Sequence, residues 1–273
     1  MLKSKIEWCD STWNPVTGCL HECEYCYARR IATRFGTIKE IIDSAAEEGI
    51  ELSDAYFRNP EYFTVLEAPI RDENGKIEPY PTNFYPTFHR YRLDEIRNKT
   101  APQNIFVCSM ADLFGAWVPD EWIEEVFAAC EKAPQHRYLF LTKNPARYHE
   151  LAQAKKLPKK DNFWYGFTTT TPNAPFWWSD YHNTFASIEP ILEAFPAAGK
   201  CLVKKVGWVI LGAMTGSGSK KHQPRKEWIE PLVEDAQDLA VPVFMKDSLI
   251  PIIGEENMVR EFPWERQAAK AGR

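Results

Sequence analysis

The sequence predicts an α/β protein: a partial (β/α)6-type barrel with an insertion after the first helix. Three observations predict it. Short apolar runs alternate with stretches of helical period, the pattern of βαβ units and a parallel sheet. Polar residues recur just after the strand-like runs, where barrels of this kind place their chemistry. The 273 residues form a length that one α/β barrel domain commonly takes. The whole chain, residues 1–273, is therefore read as one domain.

The elements follow in order. Residues 13–18 read as a short first strand running into a loop. Residues 25–42 read as a helix with Ala28, Ile31, Ala32 and Phe35 on one face. Between about 50 and 102 the periodicity dissolves among prolines and aromatics, and this stretch is read as an irregular insertion. Ile105 to Cys108 is a buried strand. Pro119 and Asp120 open a helix that puts Trp122, Val126, Phe127 and Cys130 on one face. Residues 137–141, 163–168, 184–188, 207–211 and 241–245 read as further strands. Helices are read at 145–154 and around Trp228, Leu232, Ala236 and Leu239. A small-residue loop follows Leu211, from Gly212 to Gly218.

The composition is that of a globular enzyme, with 44% hydrophobic and 26% charged residues, which excludes disorder as the default. The net charge is -5 and the pI about 5.8, so the totals hold no basic stripe for gripping a nucleic-acid backbone, and a small-molecule substrate is expected. Two local basic runs, Lys155 to Lys160 and Lys220 to Arg225, read as solvated loops. No N-terminal stretch reads as a signal peptide and no run is long enough for a membrane span, so no membrane partner and a cytoplasmic location are expected. Of seven cysteines, Cys9, Cys108, Cys130 and Cys201 are scattered and three crowd into one loop, unlike a disulfide framework.

That loop is Cys19-Leu-His-Glu-Cys23-Glu-Tyr-Cys26, a C-x3-C-x2-C arrangement. Three thiolates on a short loop before a helix suit three irons of a cubane and leave a fourth iron open. Alternatives remain. Zinc asks for four protein ligands, with His21 or Cys9 completing the set. A closed electron-transfer cluster asks for a distant fourth cysteine. A non-catalytic iron–sulfur protein is the third.

C-x3-C-x-aromatic-C is the pattern of the radical S-adenosylmethionine (SAM) superfamily, and the chain resembles that superfamily at Cys19, Cys23 and Cys26, with Tyr25 in the aromatic position. The resemblance implies a 4Fe–4S cluster on these cysteines and SAM chelated to the open iron. It also implies reductive cleavage of SAM to methionine and a 5′-deoxyadenosyl radical, with an electron donor such as flavodoxin or ferredoxin. Other segments resemble a phage-associated three-cysteine family: Ile6-Glu-Trp8, Thr12-Trp-Asn-Pro-Val-Thr-Gly-Cys19, Phe106-Val-Cys-Ser-Met-Ala-Asp-Leu-Phe114, Ala133-Pro-Gln-His136, Leu141-Thr-Lys143, Ser187-Ile-Glu-Pro190 and the run from Trp208 to Gly218. The likeness covers most of the chain outside residues 40–100. Many members of that family carry a longer first spacer, whereas this chain has the short radical SAM spacing. The same group includes queuine lyases of queuosine salvage. The resemblance thus implies a lyase that fragments queuosine or its 5′-phosphate and releases queuine. Radical SAM chemistry on nucleic acid, in modification or repair, is the alternative.

Under that resemblance the strand-end residues acquire roles. Ser109 and Asp112 are placed to hold SAM's amino group, a charge-assisted contact, although Asp112 can instead cap the helix beyond. Lys143 suits a carboxylate or a phosphate, and Thr168 and Thr169 a ribose. Gly212 permits a ligand to approach the backbone closely. Asn14, Glu189 and Lys246 are the candidate substrate residues. A carboxylate at Glu189 can accept both N–H donors of a deazaguanine edge, and Lys246 can meet a 5′-phosphate. Glu189 can equally form a structural ion pair with a neighbouring lysine. No catalytic residue is assigned beyond the cluster and SAM.

Overall fold

The computed structural model describes residues 2–195, 202–216 and 218–265. Cys201, one of the scattered cysteines, and Ser217, in the small-residue loop, lie outside the described residues. The strands are β1 (Leu2–Lys3), β2 (Ser11–Trp13), β3 (Val16–Thr17), β4 (Thr64–Leu66), β5 (Thr87–His89), β6 (Asn104–Val107), β7 (Arg137–Thr142), β8 (Phe163–Thr169), β9 (Asn183–Ile188), β10 (Val209–Leu211) and β11 (Val243–Met245). The helices are α1 (Tyr27–Phe35), α2 (Ile38–Glu47), α3 (Asp54–Arg58), α4 (Asp120–Glu131), α5 (Ala146–Gln153), α6 (Lys226–Asp238) and α7 (Ile250–Ile253).

The fold is α/β, of the partial-barrel class that the alternation predicts. The main sheet has the order β1-β2-β6-β7-β8-β9-β10-β11. Pairs β2–β6, β8–β9, β9–β10 and β10–β11 are parallel, and β1 joins β2 antiparallel. β8, β9, β10 and β11 are almost wholly buried, which explains why they read as continuous apolar runs and not as alternating ones.

The chain divides into two compact units, and the division falls within β7. The first holds residues 1–4 and 9–138, the second residues 5–8 and 139–273. In the first, α4 buries Trp122, Val126, Phe127 and Cys130 as predicted, together with Ile123 and Ala129. In the second, Phe167, Ala186, Ile188, Val209, Leu211, Ile229, Leu232, Ala236 and Val243 form one apolar core between strands and α6.

Four expectations are corrected. The predicted first strand is two strands in two sheets, because Asn14 and Pro15 break it: β2 enters the main sheet and β3 a small one. The single helix over 25–42 is two helices, interrupted at Gly36, where a Cβ would lie 1.9 Å from Asn83 Oδ1. Its expected apolar face is also half wrong. Ala28 and Ala32 are buried, but Ile31 and Phe35 are exposed, because the small side chains alone fit under the helix. The irregular stretch has more order than its sequence showed. β4 and β5 pair in parallel, and β5 pairs β3 antiparallel, giving a three-stranded sheet in the order β3-β5-β4.

Candidate functional site

In the first unit, the cysteine loop is pinned at its start from two sides. Gly18 N donates to Met110 O at 2.9 Å, and Cys19 N to Phe84 O at 3.0 Å. Gly18 has φ +89°, and a Cβ there would lie 2.1 Å from Tyr85 O, so only glycine passes between the strand exit and residues 84–86. The loop turns at Glu22, which has φ +57°. It closes where Cys26 N meets Cys23 O at 3.2 Å.

Cys26 then caps α1. Its Sγ accepts from Arg29 N at 3.3 Å, so a candidate ligand sulfur sits at a helix N-terminus. All three cysteines are half-buried. Cys19 and Cys26, together with Tyr80, pack against a buried cluster of Ala28, Ala32, Phe84 and Met110. Burial, with the Asp112 carboxylate adding to it, pushes the Cys19 thiol up to about 12, so a metal must displace its proton on binding. Among the described residues, no three His, Cys, Asp or Glu side chains are grouped around a single-ion position. A cubane makes a different demand, since each thiolate reaches its own iron. Three cysteines on one pinned loop, one of them at a helix N-terminus, fit that demand.

His21, between the first two cysteines, hydrogen-bonds Asp112 through Nε2 and Oδ2 at 2.7 Å. Asp112 is 5% exposed, and its Oδ1 accepts from Phe114 N at 3.0 Å. Asp112 therefore both ties the cysteine loop to the segment after β6 and braces the turn beyond. Trp117 and the imidazole meet edge to face, centroids 4.8 Å apart. Asn14 works in the same place. Its Oδ1 accepts from Met110 N at 2.9 Å and Ser109 Oγ at 3.2 Å. Tyr27 Oη donates to Ser109 O at 2.8 Å. Tyr25 is half-buried. The unit thus brings Asn14, Ser109 and Asp112 together with the cysteine loop. Sequence reasoning missed the pairing of His21 with Asp112. It also missed Arg58 of α3, which donates to Glu22 in the loop and at 2.7 Å to Asp54. Opposite charges 36 residues apart carry no local sequence signal.

In the second unit, Lys246 Nζ donates to Glu189 Oε1, joining two of the three candidate substrate residues in one ion pair. Gly212 lies under Glu189: a Cβ on it would come within 3.0 Å of the Glu189 carboxyl carbon, so the close approach that the glycine permits is made by this side chain. Ala213 N donates to Ser248 Oγ at 3.0 Å, and Asp247 N donates to Glu7 Oε2 at 2.7 Å. Burial holds the Glu7 carboxyl above its ordinary range. Thr169 is buried and spends its hydroxyl on Thr171 O at 2.9 Å, whereas Thr168 and Lys143 are half-buried. Glu189, Lys246 and Gly212 are brought together. Among the described residues, no hydrogen bond or ion pair joins the Thr169 side chain to them.

No helix among the described residues is long and apolar enough to cross a membrane. The family model described as "Protein of unknown function (DUF5131)" matches residues 3–248. A search of curated proteins found no match. Among solved structures, a spore photoproduct lyase variant is 9% identical, with 89% of this chain and 96% of that chain covered and a TM-score of 0.40. A second variant, with bound AdoMet and dinucleoside spore photoproduct, is 10% identical over the same shares, with a TM-score of 0.39. Superpositions this loose leave the function to the residues themselves.

Proposed function

We propose that this chain, which belongs to the DUF5131 family of proteins of unknown function, is a radical SAM lyase acting on a nucleoside or nucleotide. The observation that carries the reading is the C-x3-C-x2-C loop. It carries three cysteines within eight residues, it is pinned at Gly18 and Cys19, and its last cysteine caps α1. When bound, the cluster and SAM supply a hydrogen-abstracting 5′-deoxyadenosyl radical.

The chain's own residues orient and hold. Cys19, Cys23 and Cys26 are assigned to the cluster. Tyr25, Ser109, Asp112, Lys143, Thr168 and Thr169 are assigned to SAM, with Asp112 acting through its hold on His21, and Gly212 gives room to the Glu189 side chain. Asn14, Glu189 and Lys246 are assigned to substrate. The Lys246–Glu189 pair gives the substrate roles a condition: a 5′-phosphate must draw Lys246 away, which frees both Glu189 oxygens for two N–H donors on one base edge. Queuosine 5′-phosphate, releasing queuine, carries both groups and is the substrate we assign.

A second reading, the same chemistry on nucleic acid, is favoured by one feature. The segment between β8 and β9 exposes Phe176, Trp178 and Tyr181, with Lys205 Nζ 3.7 Å from the Trp178 ring and Lys159 Nζ 5.5 Å from the Tyr181 ring. Aromatics interleaved with cations bind single strands.

The test is anaerobic. Reconstituted protein is given SAM and dithionite, with and without queuosine 5′-phosphate, and 5′-deoxyadenosine and queuine are quantified. Substrate-stimulated 5′-deoxyadenosine with free queuine, both lost in Cys23→Ala, is the expected result. Unstimulated 5′-deoxyadenosine, with salt-sensitive binding of an oligonucleotide, moves the substrate to nucleic acid. No 5′-deoxyadenosine from a fully loaded wild-type protein overturns the radical SAM reading.

A further inference from the structure

We infer that the solvent-facing ridge of α1 is the docking surface for an acidic one-electron carrier protein. This rests on the radical SAM reading above, because a centre that cleaves SAM reductively must be fed electrons one at a time from outside. Three observations on the helix lead there.

The first is an apolar ridge left at the surface, its near end held where Tyr27 Oη donates to Ser109 O. Tyr27, Ile31 and Phe35, at i, i+4 and i+8, lie on one face of α1 and are 44%, 39% and 56% exposed, while Ala28 and Ala32 are buried beneath. Three large apolar side chains in one line are an interaction signal in a way that a lone exposed leucine is not.

The second is charge. Across Tyr27–Phe35 the helix carries Arg29, Arg30 and Arg34 and no acid, in a chain whose net charge is -5. Arg30 and Arg34 are exposed and form no ion pair among the described residues, in contrast to Arg58, Arg90, Arg97, Arg147 and Arg260. Arg34 lies over the exposed Phe35 ring, 5.3 Å from its centroid, so charge and apolar area form one surface. Of the acids in the preceding loop, Glu22 is already engaged by Arg58, and Glu24 is exposed. An apolar strip beside uncompensated arginines complements a partner with an acidic rim around an apolar centre.

The third is position. The ridge begins at the residue after Cys26, whose Sγ caps this same helix. Its far end, Phe35, is nine residues on, about 13 Å along the axis. A carrier seated on the ridge is therefore close to a candidate cluster ligand over its whole length. The same position gives no advantage to a nucleic-acid partner, and the aliphatic Ile31 at the centre offers no stacking face. An acidic carrier is the occupant that the surface favours.

The experiment pairs a binding arm with a turnover arm, using a flavodoxin and its NADPH-dependent reductase as the probe and the reconstituted protein throughout. Wild type is expected to bind flavodoxin with an affinity that falls as salt rises, and Arg30→Glu/Arg34→Glu to weaken binding at least tenfold. In the turnover arm, the double variant is expected to form 5′-deoxyadenosine at the wild-type rate with dithionite and at least tenfold more slowly with flavodoxin. Ile31→Ser is expected to weaken flavodoxin binding with less change in salt dependence. Equal flavodoxin binding by wild type and the double variant overturns the inference, as does no binding by wild type. An equal loss with both reductants does so too, since it assigns α1 to holding the cluster. Binding of a single-stranded oligonucleotide through Arg30 and Arg34 in place of flavodoxin also overturns it. Wild-type protein that binds flavodoxin but makes no 5′-deoxyadenosine with dithionite sinks the proposed function and leaves the docking surface standing.

Discussion

His21 and Asp112 show how a single contact organises the candidate centre. Asp112 spends one oxygen on the imidazole and the other on Phe114 N, and it is buried. Removing His21 leaves a buried carboxylate short of a partner beside the Cys19 thiol, a loss of about 1.5–3 kcal/mol for a hydrogen bond to a charged group. His21→Ala is expected to lower the iron and sulfide retained per chain after reconstitution and to lower the midpoint of urea unfolding of the apo protein. His21→Gln, which keeps a donor, is expected to recover most of both. Full retention of iron in His21→Ala would show that the contact does not position the loop. The three cysteines were legible because they lie within eight residues, and the chemistry of three clustered thiols is narrow. The partner of His21 was not, because Asp112 is 91 residues away and an aspartate before a helix looks like a cap. Lys246 and Glu189, 57 residues apart, read singly as two substrate contacts, and only the fold joins them.

At the scale of elements, the period of α1 was legible and its orientation was not. Ala28, Ile31, Ala32 and Phe35 share a helical stripe, but the space beneath admits only the alanines, a fact of tertiary packing that periodicity does not carry. The turn into the cysteine loop gives a sharper test of what an element demands. Gly18 has φ +89° with backbone 2.1 Å from a Cβ position, whereas Gly49 has φ +77° with nothing within 4 Å. Both lie in the left-handed region, where a side chain costs about 1–2 kcal/mol. Gly49→Ala is expected to cost no more than that. Gly18→Ala must also displace the Tyr85 carbonyl, and the expected loss is about 3 kcal/mol or more, together with cluster binding. Urea denaturation of the two variants, with iron content measured alongside, separates strain from clash. Equal losses would mean that the loop gives way at no cost.

For the whole molecule, the alternation of strands and helices was legible because β8 to β11 are buried and therefore almost purely apolar. The three-stranded sheet was not. Its strands are two or three residues long, and β3 and β5 are joined across about seventy residues. That small sheet buries the group on which acid stability should turn. His89, at the end of β5, is fully buried, with Nε2 2.8 Å from Thr17 Oγ1 and Nδ1 without a hydrogen-bond partner among the described residues. Burial, with Arg92 nearby, lowers its pKa from 6.5 to about 3. Above about pH 6.5 the imidazole is neutral in both folded and unfolded chains and has no effect on the balance. Below that, the unfolded chain takes up a proton that the folded one refuses, so stability falls as pH drops from about 6.5 toward about 3. At pH 5, one and a half pH units into that window, the loss from this one group is about 2 kcal/mol. His89→Gln, which keeps a partner for Thr17 without a titrating ring, is expected to be less stable than wild type at pH 7.5 but to lose less on acidification. Urea unfolding free energies measured between pH 7.5 and 4.5 should then have a slope shallower by up to one proton in the variant. Parallel slopes would show that His89 takes up its proton in the folded protein, with the buried sheet opening to admit it.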